Sequence, residues 1–181
     1  MRSISIAYDW LINAMKVLAG AIVVLIFVLI SLDVLLPLLG EILAVVGYPV
    51  RILAWDGTLG VVEYGLLWFT VLAAPWLART KSHVFIDAIN EFISPKVQRV
   101  TSKVAYLIVI SGALLLTWFT SNLFLEAYMD EVTDERSIEL MLWWIYAPMP
   151  LSFAMVAIEF IRFLLGIDDM FGSRSDVKEG M

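Results

Sequence analysis

The side chains able to do chemistry in this chain are few, and most of them interrupt long apolar stretches. Asp33 lies in the first such stretch, Glu63 stands early in the second, and Glu159 and Arg162 sit three residues apart in the last. An ionised side chain at the centre of a bilayer costs about 2.5–3.5 kcal/mol on insertion scales, so each of these groups must face protein, water or the membrane interface. The i, i+3 spacing of Glu159 and Arg162 predicts a structural ion pair near the cytoplasmic side. Glu63 has no basic residue near it along its own helix. Its partner must come from another helix, a lipid headgroup or another protein.

The remaining inventory argues against catalysis. His83 is the one histidine in the sequence and there is no cysteine. Together these exclude a haem held by two histidines, a histidine-rich or thiolate metal site, and a serine or cysteine triad with its own base. No phosphate-cradling glycine loop is present. The expectation is a protein that is not an enzyme, binds no metal or cofactor, and has no nucleic-acid partner.

What must position these residues follows from hydropathy. Hydrophobic residues make up 61% of the 181 and charged ones 17%, against roughly 45–50% and 25% in soluble domains. Apolar stretches at 17–39, 57–78, 104–125 and 140–165 each exceed or approach the 20 or so residues that cross a hydrocarbon core about 30 Å thick. The fold class is therefore all-α integral membrane, a single domain over 1–181 with four transmembrane helices. The first stretch is longer than a signal-peptide core and no small-residue cleavage site follows, which reads as a retained anchor.

The connections carry their own signals. Residues 82–94 place Phe85, Ile86, Ile89, Phe92 and Ile93 at helical spacing before Pro95, which predicts an amphipathic helix lying in the cytoplasmic interface. Residues 40–55 are apolar but interrupted by Gly40, Gly47 and Pro49, which predicts a second interfacial arm on the outer side. Arg79, Lys81, Lys96, Arg99 and Lys103 cluster between the second and third spans, whereas the other two connections hold only Arg51 and Arg136. Lys and Arg near span ends stay on the cytoplasmic side, so both termini and the middle loop are expected inside. The outer segment with Glu126, Asp130, Glu131, Asp134, Glu135 and Glu139 then reads first as a solvated acidic surface.

Trp10, Trp55, Trp76, Trp143, Trp144 and Tyr146 fall near span ends, where aromatic rings anchor at headgroup level, while Trp68 and Trp118 lie nearer mid-span and read as packing or lipid-facing residues. Pro75, Pro148 and Pro150 mark bends. Two faces carry small residues: Gly60, Leu67, Thr70 and Ala74 on the second span, and Ala113, Thr117, Thr120 and Ser121 on the third. Such faces allow close helix approach, either inside the bundle or against a partner.

The run Val62-Glu63-Tyr64-Gly65-Leu66-Leu67-Trp68-Phe69, then Ala73-Ala74 and Leu77-Ala78-Arg79-Thr80-Lys81-Ser82-His83-Val84 with Asp87 beyond, resembles the second-span signature of the small membrane subunit of TRAP (tripartite ATP-independent periplasmic) transporters. Trp144-Ile145-Tyr146 followed by Pro148 and Pro150 is similar to that family as well. One departure is the stretch after the first span, where an apolar segment with Tyr48 and Arg51 replaces the family's usual Arg-Tyr-like sequence. The resemblance implies a multi-pass protein of the bacterial inner membrane that joins a large multi-span subunit. It also implies transient work with a periplasmic substrate-binding protein, contact with membrane lipids, and sodium-coupled uptake of an organic anion, with this chain bracing an elevator-type subunit. Glu63, Trp68, Arg79 and His83 match the family pattern and are the residues expected at a partner or lipid interface. Two other classes compete. A membrane anchor for a redox enzyme would show a haem absorbance band, and a small proton-coupled exporter using Glu63 would transport unaided in liposomes.

Overall fold

The computed structural model describes residues 2–47, 57–80, 95–134 and 139–166. Among them, helices α1 (Arg2–Val45), α2 (Thr58–Arg79), α3 (Pro95–Met129), α4 (Leu142–Tyr146) and α5 (Pro148–Leu164) follow in chain order, with a short antiparallel hairpin, β1 (Thr133–Asp134) and β2 (Leu140–Met141), between α3 and α4. Four segments of this set are long and apolar enough to cross a membrane: Ile6–Val45, Thr58–Arg79, Val100–Met129, and Leu142–Leu164, which joins α4 to α5.

The first helix is longer than its apolar run. At about 1.5 Å per residue its 44 residues reach about 66 Å, twice the hydrocarbon thickness. It passes through Gly40, where a separate outer arm was expected to begin, and stops only at Gly47. One glycine inside a helix costs about 1 kcal/mol, too little to end a leucine-rich segment. Gly47 ends it because its φ of +93° is a left-handed conformation that glycine alone adopts without strain; its N–H donates to the Ala44 carbonyl at 3.1 Å. Residues 40–45 thus prolong α1, and the rest of the expected arm, 48–55, lies outside the described residues, as does the expected interfacial helix at 82–94.

The fourth span is divided. Ala147 keeps helical angles and donates to Trp143, but Pro148 and Pro150 have no N–H to continue the ladder. Pro75, by contrast, is absorbed within α2, which runs on to Arg79.

The helices pack in the order α1, α2, α5, α3, with α5 between α2 and α3 and with α4 against α3. Two buried clusters hold this arrangement. Ile12, Met15 and Ala19 of α1 meet Leu72 and Ala73 of α2 and Met155 of α5. On the other side of α5, Phe160 and Phe163 enclose Tyr106 and Ile110 of α3 with Ala78 of α2. Tyr106 meets the Phe160 ring edge-on at 6.1 Å, a geometry aromatic quadrupoles favour. The bundle buries α1 least: 6% of its most apolar window is covered, against 39% for the α4–α5 span.

Candidate subunit interface

Polar side chains gather at the end of the bundle where α1 begins and where α2 and α5 finish. Arg79, the last residue of α2, places Nη2 2.5 Å from Asp9 Oδ1 of α1. On α5, Arg162 Nη1 lies 3.4 Å from Glu159 Oε1, and the Glu159 side chain is almost fully buried. The Arg162 guanidinium also sits over the Tyr8 ring of α1, 5.6 Å from its centroid, where a cation is attracted to the π face. Lys16 adds a second such contact, 4.5 Å above the Trp76 ring of α2. Two cations, Arg79 and Arg162, thereby balance two carboxylates, Asp9 and Glu159, across three helices. Glu159 Oε2 and the Tyr8 hydroxyl are buried without a hydrogen-bond partner among the described residues.

Side-chain hydrogen bonds tie the opposite end as well. Thr58 Oγ1 donates to Asp33 Oδ1 at 3.2 Å, which sets the Asp33 carboxylate beside the start of α2, where the helix dipole favours a negative charge. The Tyr64 hydroxyl donates to Asp134 Oδ2 of β1 at 2.7 Å and fastens the hairpin to α2. Asp134 is thus half-buried and partnered, unlike Glu126, Asp130, Glu131 and Glu139 around it, which are exposed.

The residues expected at an interface divide sharply. Trp68 is half-buried and packs against the Ile12–Met15–Leu72 cluster. Arg79 is engaged with Asp9 inside the chain. His83 lies outside the described residues. Glu63 is exposed, and no hydrogen bond or ion pair is formed by it among the described residues. The small-residue face of α3 satisfies itself: Thr117, Thr120 and Ser121 each donate to a carbonyl one turn back, at 2.7–2.8 Å. Between α2 and α3, with Phe153, Val156 and Phe160 of α5 as its floor, runs an open apolar groove of about 640 Å³. A second apolar cavity, of about 270 Å³, lies between α1, α2 and α4 beside Tyr64, Gly65 and Trp144.

Sequence reasoning missed Tyr8 and Asp9, because which residues of the first helix lie opposite Arg79 and Arg162 is set by how the helices pack and not by spacing along the chain.

Residues 42–168 match the family model described as tripartite ATP-independent periplasmic transporters, DctQ component. The chain belongs to the DctQ family. It is therefore the small membrane component of a TRAP transporter, a multi-pass membrane protein working as one part of a larger assembly. No curated protein and no solved structure matches it. The DctQ match covers α2, α3 and the divided fourth span with the described loops between them, so Asp33 and most of α1 precede it, while Thr58, Glu63, the groove and the Glu159–Arg162 pair fall inside it.

Proposed function

We propose that this DctQ-family chain is the fixed scaffold piece of a sodium-coupled uptake system for an organic anion, and that it braces a large elevator-type membrane subunit. The observation that carries this reading is how the polar side chains in the spans are used. Asp9 with Arg79 and Asp33 with Thr58 tie α1 to α2, and Arg162, paired with Glu159 within α5, sits over Tyr8 of α1; these groups hold helices at fixed spacing rather than lining a path. Trp68 and Arg79 serve the interface indirectly, by keeping α1 on α2. Glu63 meets the partner or its lipid-filled seam directly. The covered side of α1 meets α2, and its broad exposed face meets lipid. A soluble binding protein delivers the anion from the periplasm to the large subunit, both termini lie in the cytoplasm, and Lys and Arg of the inner loop contact anionic lipid, each worth about 1 kcal/mol.

The test is sodium-driven uptake in proteoliposomes by the large subunit and its binding protein, with and without this chain. Uptake is expected to vanish without it while the binding protein keeps its affinity for the anion. Full-rate uptake by the large subunit alone overturns the proposal.

A further inference from the structure

We infer that the groove between α2 and α3 is the seat of one transmembrane helix of the large subunit, and that this helix carries a Lys or Arg that pairs with Glu63; the inference rests on the scaffold reading above.

Glu63, Thr70, Ala74 and Leu77 are spaced i, i+7, i+11 and i+14, which puts them on one face of α2. The last three line the groove. Glu63 therefore stands on the groove-facing side about 10 Å beyond Thr70, toward the outer end of α2. A face from Glu63 to Leu77 is about 21 Å long, two thirds of the hydrocarbon thickness. That is the scale of a helix lying alongside, not of a local dimple. The walls are low: Thr70 and Ala74 on one side, Gly112 and Ala113 on the other. A Cβ added at Gly112 would meet nothing within 4 Å. Small side chains on both walls let a helix backbone come close, and close approach is what drives helix association where lipid offers no hydrophobic gain.

The charge selects the occupant. Glu63 stands five residues, about 8 Å, inside the start of an α2 that is apolar enough to cross a membrane. No described residue answers its carboxylate, and at that depth an unpaired carboxylate is costly. An acyl chain fills an apolar groove but brings no positive charge to that depth. A helix bearing a basic side chain near its outer end supplies both the packing and the countercharge.

Because the natural chain has no cysteine, a single Thr70→Cys variant allows directed crosslinking in the membrane complex. In co-purification from native membranes, Gly112→Leu and Glu63→Gln are each expected to lower recovery of the large subunit about tenfold, a loss of about 1.4 kcal/mol. Gly20→Leu, at an equally open position on α1, is expected to leave recovery unchanged. Thr70→Cys is expected to crosslink to one helix of the large subunit. Glu63→Lys is expected to be rescued by the reverse charge on that helix. Each variant is checked alone for its helical spectrum and thermal unfolding, so that lost recovery is not mistaken for lost folding. Wild-type recovery by both Gly112→Leu and Glu63→Gln, or labelling of Thr70→Cys by a photoactivatable phospholipid and not by the large subunit, overturns the groove while leaving the scaffold reading standing. Failure of the wild-type chain to hold any large subunit overturns the scaffold reading and the groove with it.

Discussion

At the scale of single residues, Glu159 is the informative carboxylate. It is fully buried in the bundle, with Arg162 as its one charged neighbour on α5 at 3.4 Å. Burying two charges gains little over packing apolar groups, but removing one partner strands the other. Arg162→Met alone is thus expected to lower stability by about 2 kcal/mol, less than a fully enclosed pair would lose because Arg162 is 28% exposed. Glu159→Leu combined with Arg162→Met is expected to recover most of that loss. Thermal unfolding in detergent of the two singles and the double reads this directly, and equal effects of single and double variants would contradict it. The Asp9–Arg79 pair is more open, at 48% and 29% exposure, and its removal is expected to cost less than about 1 kcal/mol.

At the scale of elements, the α1–α2 contact turns on Gly65. A Cβ there would lie 2.9 Å from Ile26 Cδ1 and 3.1 Å from its Cγ1, so the Ile26 side chain of α1 packs directly onto the space that glycine leaves open. Gly65→Val is expected to push α1 away and destabilise the bundle by about 1–3 kcal/mol. Gly20→Ala on α1 meets no atom and is expected to stabilise by up to about 1 kcal/mol, since alanine loses less backbone entropy than glycine on entering a helix. Opposite signs for these two replacements in one unfolding assay support the packing, and the same sign would refute it. The hairpin is a comparable case: it owes its place to the Tyr64–Asp134 bond, because a two-residue ladder has little stability of its own.

At the scale of the whole molecule, the asymmetry of burial decides how the protein meets its surroundings. Helix α5 is the centre, α2 and α3 flank it, and α1 is held from one side, by the Ile12–Met15–Leu72 cluster together with the Asp9–Arg79, Asp33–Thr58 and Tyr8–Arg162 contacts. The direction in the membrane that we propose, with both termini inside, rests on loop charge. Single cysteines at Thr101 and Glu131 place a label at either end of α3. An impermeant maleimide applied to intact spheroplasts is expected to modify Glu131→Cys at once and Thr101→Cys only after permeabilisation. The reverse pattern would invert the proposed topology.

The number of spans was legible in one dimension, because the hydrocarbon thickness translates directly into residue count and hydropathy is a local property, and the family membership was legible in the motif run of the second span. The i, i+3 spacing of Glu159 and Arg162 was legible for the same reason, since one helix determines it. Tertiary structure decided the rest. Arg79 meets Asp9, and Tyr64 meets Asp134, each across 70 residues of chain; which carboxylate answers which donor depends on the packing order of helices, and residue spacing does not encode that order. It was also tertiary structure that left Glu63 outward while packing half-buried Trp68 against the α1–α2 cluster, although both stand on one helix only five residues apart.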